Sequence, residues 1–152
     1  MTDAEQLARA AIQKTLAACT QAGDARKAEA YAACFTSDGV LDLGERFEGR
    51  EAIRQFMAAP SVIPQPQGAA AARGGYVSHH LTTCRIELTS ETTATVRTYW
   101  FVITAMGPDH SGYYDDRFRE DGAAWLMEYR RPRTIWTAPE SLVGDNVFGA
   151  RS

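Results

Sequence analysis

Residues 76–137 read YVSHHLTTCRIELTSETTATVRTYWFVITAMGPDHSGYYDDRFREDGAAWLMEYRRPRTIWT, and this stretch decides the fold. Its β-branched and aromatic residues fall into four runs, Tyr76–Thr89, Thr92–Met106, Gly112–Arg119 and Ala123–Thr137. Between them lie Ser90-Glu91, Gly107-Pro108-Asp109 and Asp121-Gly122, all turn chemistry. Links this short join antiparallel neighbours, because a parallel pair needs a crossover of about a dozen residues or more. Within the second run, Tyr99-Trp-Phe-Val-Ile103 is apolar at every position. That predicts a strand covered on both faces, by helices on one side and by a second copy of the chain, as a homodimer, on the other.

Upstream the period changes. From Glu5 to Ala22, Ala8, Ile12, Leu16 and Cys19 recur at three- and four-residue steps, which predicts an amphipathic helix. Gly23 is a natural stop, and Asp24 can cap a second helix running to about Phe35 with Ala28, Tyr31 and Phe35 facing inward. A short strand, Val40–Leu43, can pair with Glu45–Phe47 across Gly44, and a third helix follows from Arg50 to about Ala59, with Ile53, Phe56 and Met57 on its apolar face. Residues 60–75 hold three prolines and three glycines among few charges, and read as a long connection, either a lid over a binding site or a plain loop. Periodicity fades after Pro139, so about 140–152 reads as a weakly structured tail of a single domain spanning 1–152. The expected class is α+β.

Composition narrows the function. At 152 residues, 45% hydrophobic and 23% charged, the chain is long enough for one buried core and too apolar for disorder. Sixteen Lys and Arg against nineteen Asp and Glu give a net charge of −3, with the basic residues scattered, which argues against a nucleic-acid partner. Cys19, Cys34 and Cys84 are odd in number and lack a CxxC spacing, pointing to a reducing, cytoplasmic setting. The N-terminus has no basic segment followed by an apolar one, and no window approaches the roughly 18 apolar residues of a membrane span. No phosphate loop, dinucleotide fingerprint or nucleophile elbow occurs. His79 and His80, neighbours on a strand, point to opposite faces and chelate poorly even with His110 nearby. Neither metal nor cofactor is expected.

Several separated stretches together resemble one family. They are Gly23-Asp24, Phe35-Thr-Ser-Asp38-Gly39, Phe47-Glu-Gly49-Arg-Glu-Ala-Ile53, His79 with Thr83 and Ile86, Gly112-Tyr-Tyr-Asp-Asp-Arg117, and Asp121-Gly122-Ala-Ala-Trp125 followed by Arg130. In order and spacing they resemble the SnoaL-like branch of the nuclear-transport-factor-2-like superfamily. The resemblance implies a curved antiparallel sheet, cystatin-like in outline, wrapped around a cone-shaped pocket and backed by N-terminal helices. Relatives of that kind include polyketide cyclases, ketosteroid isomerases, scytalone dehydratase, a dehydrochlorinase and non-catalytic subunits, so fold leaves function open. In the dehydratases and the dehydrochlorinase an Asp–His pair is the general base. The resemblance carries the Asp to Asp24, the His to His79 or, as alternative, His80, and a leaving-group Arg to Arg130. The dehydrochlorinase's lysine falls near Cys19 and the dehydratase's tyrosines near Gly23 and Leu43, so the polarising groups differ here.

The chemistry such a pair performs is a β-elimination or dehydration beside an electron-withdrawing group. A neutral His removes the C–H proton, and a carboxylate on its other nitrogen fixes the tautomer and steadies the imidazolium. Tyr31, Tyr99, Trp100 and Tyr114 are candidate walls of a pocket for a hydrophobic, cyclic small molecule. Each site residue also has a plainer reading: Asp24 as a helix cap, the histidine as a bonded strand residue, Arg130 as an ion pair with Glu128 or Asp116. Two functions compete: a cofactor-independent lyase or isomerase, and a non-catalytic ligand-binding domain or accessory subunit such as a relative of the ring-hydroxylating dioxygenase β-subunit.

Overall fold

In a computed structural model, which describes residues 1–61 and 76–143, helix α1 (Asp3–Asp24), a single turn α2 (Ala28–Ala32), strands β1 (Phe35–Asp42) and β2 (Arg46–Glu48), and helix α3 (Arg50–Ala58) precede four long strands. These are β3 (Val77–Leu88), β4 (Thr93–Thr104), β5 (Gly107–Asp121) and β6 (Ala124–Thr137). The connection expected over 60–75 and the tail expected over 140–152 lie largely outside the described residues. One curved, unclosed sheet holds all six strands in the order β2-β1-β6-β5-β4-β3. Every pairing is antiparallel except that of β1 with β6, which is parallel.

Helix α1 begins with a capping box, Thr2 and Glu5 bonding each other's backbone N–H, and lays Ile12, Leu16 and Cys19 on the sheet. Two long-range bonds fix its height: Thr15 Oγ1 donates to the Trp125 carbonyl at 2.7 Å, and Arg9 Nη1 to the Ile86 carbonyl at 2.7 Å. Phe35, Leu41, Ile53, Ile86, Val96, Phe118 and Met127 fill the core beneath. Removing such side chains costs about 2–5 kcal/mol each.

Gly23 does not stop α1. The helix runs one residue further and unwinds through Ala25 and Arg26, whose φ of 54° fills the left-handed position usually taken by glycine. Lys27 N–H then bonds back to the Ala22 carbonyl at 2.9 Å. Asp24 is therefore the last residue of α1 and caps nothing. The second helix is correspondingly short, and Phe35 belongs to β1.

Three of the sheet's register slips govern where side chains point near the site. Between Leu81 and Cys84 the β3–β4 register slips by one residue, so Leu81 faces Trp100 and Cys84 faces Thr98. In β5 an extra residue, Asp109, stands between Pro108, opposite Ile103, and His110, opposite Val102. The third slip lies at Gly112, where a Cβ would sit 1.9 Å from the Arg133 carbonyl oxygen and 2.8 Å from Trp100 Cζ2. Only glycine lets the indole lie across β5 there.

The apolar run in β4 alternates more than its composition predicts. Trp100 and Val102 are buried on the inner face, whereas Tyr99 and Phe101 stay 43% and 38% exposed on the outer one; Ile135 and Trp136 of β6 are exposed as well. Among the described residues no helix is long and apolar enough to cross a membrane.

Candidate active site

Asp24 and His79 meet where the end of α1 crosses the start of β3. Asp24 Oδ1 lies 2.6 Å from His79 Nδ1, and Oδ2 accepts the His79 backbone N–H at 2.9 Å. A carboxylate only accepts, so Nδ1 carries the proton and Nε2 is bare in the neutral ring. Nε2 has no hydrogen-bond partner among the described residues. At the C-terminal end of α1 a carboxylate opposes the helix dipole, a placement that costs about 0.3–1 kcal/mol at exposed sites. The His79 bonds offset that cost locally. A cavity of about 380 Å³ opens beside the pair, lined among others by Leu16, Thr20, Asp24, His79, Cys84 and Thr98.

Which histidine faces inward is decided by the slip between Leu81 and Cys84. Counting alternate residues back from buried Ile86 leads to His80, but the extra residue inverts the parity and turns His79 in. His80 instead stacks on Phe101 on the outer face, ring centroids 4.9 Å apart, and shares a 2.8 Å bond with Ser78.

None of the four expected wall residues lines this cavity, although two of them, Trp100 and Tyr114, pack together near His79. The Trp100 indole lies 6.4 Å from the His79 ring and 5.6 Å from that of Tyr114. Tyr31 packs on Phe35 at 5.6 Å, and burial, with the Asp116 carboxylate nearby, pushes its phenol well above the usual range. Burial acts likewise on Tyr114, so both phenols stay protonated. Tyr99 does not join them: it points to the outer face, edge-on to Tyr113 at 6.0 Å.

Arg130 is an interior ion pair. Its Nε and Nη2 donate to the two oxygens of Asp116 at 2.9 and 2.7 Å, and the side chains are 3% and 0% exposed. Glu128, the other partner considered, pairs instead with Arg117 and Arg119. Burial disfavours the Arg130 charge, but Asp116 outweighs it and keeps the guanidinium protonated. The guanidinium lies 3.9 Å from the Tyr114 ring centroid, with Nη1 3.5 Å from Cys19 Sγ. Arg130 thus holds Tyr114 and cannot swing to a leaving group without abandoning Asp116.

A second Asp–His pair escaped the sequence reading, which placed Gly107-Pro108-Asp109 in a turn. His110 Nδ1 lies 2.7 Å from Asp109 Oδ2, the two side chains being 7% and 0% exposed. Asp109 also accepts from Ser141 Oγ (2.6 Å), Leu142 N–H (2.8 Å) and Thr104 Oγ1 (3.3 Å). Burial opposes its charge, but these bonds outweigh it and lower its pKa. For His110 burial dominates and lowers the pKa against the pull of Asp109. Adjacent inward residues on a strand betray a bulge, but nothing in the local sequence announces one.

The SnoaL-like domain profile matches residues 4–131. No curated protein matches the chain in sequence. Among solved structures it is similar to a protein of unknown function from Mycobacterium tuberculosis, solved as an aspartate-to-asparagine variant, with 28% identity and a TM-score of 0.71 over 95% of this chain and 81% of that one. A protein from Novosphingobium aromaticivorans assigned as a scytalone dehydratase gives 24% identity and a TM-score of 0.71 over 91% of each chain. A nuclear-transport-factor-2-like protein with a cystatin-like fold from the same organism gives 21% identity and 0.70, over 88% of this chain and 86% of that one. The last two likenesses concern the fold alone.

Proposed function

The chain belongs to the SnoaL-like domain family, and on that premise we propose that it is a cofactor-independent lyase or isomerase of dehydratase, dehydrohalogenase or cyclase type. Its substrate is a hydrophobic, cyclic small molecule, His79 is the general base and Asp24 its partner. The observation that carries this reading is the double grip of Asp24 on the His79 ring and backbone, which orients the imidazole and leaves Nε2 bare beside a cavity. Nε2 takes a proton from carbon, the C–H pair becomes the new double bond, and the leaving group departs with its own electron pair. Where that group is hydroxide, the imidazolium returns the proton to it as water, and the balance closes without a further reagent. Asp24 stabilises the imidazolium in between, and general-base assistance of this kind contributes about 10²–10⁴-fold.

In this reading Trp100 and Tyr114, packed near His79 next to the cavity, supply the aromatic surface for the substrate, and Arg130, neutralised by Asp116, keeps Tyr114 in place. The homodimer belongs to the same proposal, with the outer face around Phe101 and Trp136 as its seat; sedimentation at micromolar concentration reads it. The test of the activity is turnover across hydroxylated and halogenated cyclic compounds by wild type, Asp24→Asn and His79→Asn. Turnover by wild type that both variants lose supports the proposal. Ligand binding without turnover in all three proteins would instead make the chain a binding domain or accessory subunit.

A further inference from the structure

Two thiols that the proposed chemistry does not use meet inside the core. Cys19 stands on the buried face of α1 and Cys34 is the last residue before β1, with 0% and 6% of their surface exposed. Their side chains hydrogen-bond each other, and that bond is the middle link of a chain. Arg130 Nη1 donates to Cys19 Sγ at 3.5 Å, Cys19 donates to Cys34, and Cys34 Sγ donates to the Ala30 carbonyl at 3.4 Å. Donating to Cys34, together with burial, pushes the Cys19 thiol well above its ordinary range. Accepting that bond lowers Cys34 against the effect of burial, and the Arg130 charge helps.

Two unequal thiols in contact, one eased toward ionisation and the other holding its proton beside it, suit a division of labour: the first sulfur meets an oxidant and the second resolves the product. Cys34 also follows α2, a single turn without a side-chain cap, and local opening of such a turn admits a molecule as small as peroxide. Cys84 lies apart on β3, where it accepts from Thr98 Oγ1 at 3.4 Å.

We infer that Cys19 and Cys34 close a reversible disulfide in response to hydroperoxides, and that the cross-link acts on the end of α1 where Asp24 holds His79. The Cys34 thiolate attacks the terminal peroxide oxygen, the O–O bond breaks, and Cys34 becomes a sulfenic acid. The alkoxide or hydroxide released takes up the proton that Cys34 had lost. The Cys19 sulfur then attacks the Cys34 sulfur, and the hydroxyl leaves as water with the Cys19 proton. Two electrons pass from the thiol pair to the peroxide, and a dithiol reductant returns them. The Cys34 backbone is anchored to β6, its carbonyl accepting the Met127 N–H at 3.0 Å, whereas Cys19 lies little more than one helical turn before Asp24. Disulfide sulfurs stand about 2.05 Å apart, closer than hydrogen-bonded thiols, so closure draws the end of the helix toward the anchored residue.

The test applies hydrogen peroxide to the folded, ¹⁵N-histidine-labelled protein, counts free thiols in denaturant and maps joined peptides by mass spectrometry. Wild type should fall from three free thiols to one, with the Cys19 and Cys34 peptides joined, and dithiothreitol should restore all three. Oxidation should also move the His79 Nδ1 resonance. Cys19→Ser should stop at a sulfenic acid on Cys34, trapped by dimedone, and Cys34→Ser should leave Cys19 reduced. Three thiols retained under peroxide, a disulfide that includes Cys84, or a Cys19–Cys34 disulfide that leaves the His79 resonance unmoved would each overturn the inference. The wild-type map decides it even if neither variant folds. Neither readout needs turnover, so failure here is separate from failure of the His79 base reading.

Discussion

The described residues contain two aspartate–histidine pairs, and they are built in opposite ways. Asp24 and His79 lie 55 residues apart and meet only because α1 is seated on β3, with both side chains still 22% and 27% exposed. Asp109 and His110 are neighbours in sequence and almost fully enclosed. Asp24 has a single histidine to hold, whereas Asp109 is the hub of bonds from β4, β5 and the segment after β6. The difference teaches which pair the fold depends on. An open pair at the rim of a cavity can change protonation state and meet reagents, while an enclosed hub is structural capital, and its histidine is fixed rather than adjustable.

Breaking the open pair should therefore show in chemistry and breaking the closed one in stability. The largest effect expected is on turnover: Asp24→Asn or His79→Asn should lower kcat by about 10²–10⁴-fold. Urea unfolding of Asp24→Asn should change by less than about 1 kcal/mol, because Asn still bonds the His79 backbone and relieves a charge opposing the helix dipole. A large loss of stability with turnover intact would invert the comparison.

Asp109→Ala comes next. It strands the donors of His110, Ser141 and Leu142, and should cost about 3 kcal/mol or more in urea unfolding. Asp109→Asn should cost less, since it keeps an acceptor. A loss below about 1 kcal/mol for Asp109→Ala would show that the enclosed pair is not the hub described.

The pH dependence is a smaller effect that separates the pairs further. Burial lowers the folded-state pKa of His110 below its usual range, so the unfolded chain takes up that proton first. Its contribution is fully present above the unfolded value of about 6.5 and is lost as pH falls through the depressed folded value. Urea unfolding followed from about pH 8 to pH 5 should show wild type losing stability on acidification, and His110→Asn losing less. Equal slopes would mean that His110 is not held neutral by the fold.

How much of this the sequence announced depended on whether a period or an irregularity carried it. Helices α1 and α3 and strands β3, β4 and β6 match their expected bounds within about two residues, because apolar spacing repeats along each. Where one residue is inserted the period fails. His80 is the inward histidine by simple alternation from Ile86, and the slip between Leu81 and Cys84 makes it His79. The slip at Asp109 hid the second pair inside what reads as a turn. Tyr99, expected on the pocket wall with Trp100, faces the opposite side of the sheet because strand neighbours alternate. Asp24 lay in the site but for a different local reason, since a left-handed Arg26 and not Gly23 ends the helix. A bulge is set by pairing with another strand, and so is not written in the residues that form it.

The central claim is that Asp24 fixes the proton of His79 on Nδ1 and leaves Nε2 free to act as base. Long-range ¹H–¹⁵N correlation of the imidazoles at mildly alkaline pH measures this directly and needs no substrate. Wild type should show His79 as a single tautomer with a protonated, hydrogen-bonded Nδ1 and a bare Nε2, and Asp24→Asn should lose that pattern. A His79 ring protonated on Nε2, or averaging between tautomers identically in both proteins, would contradict the account.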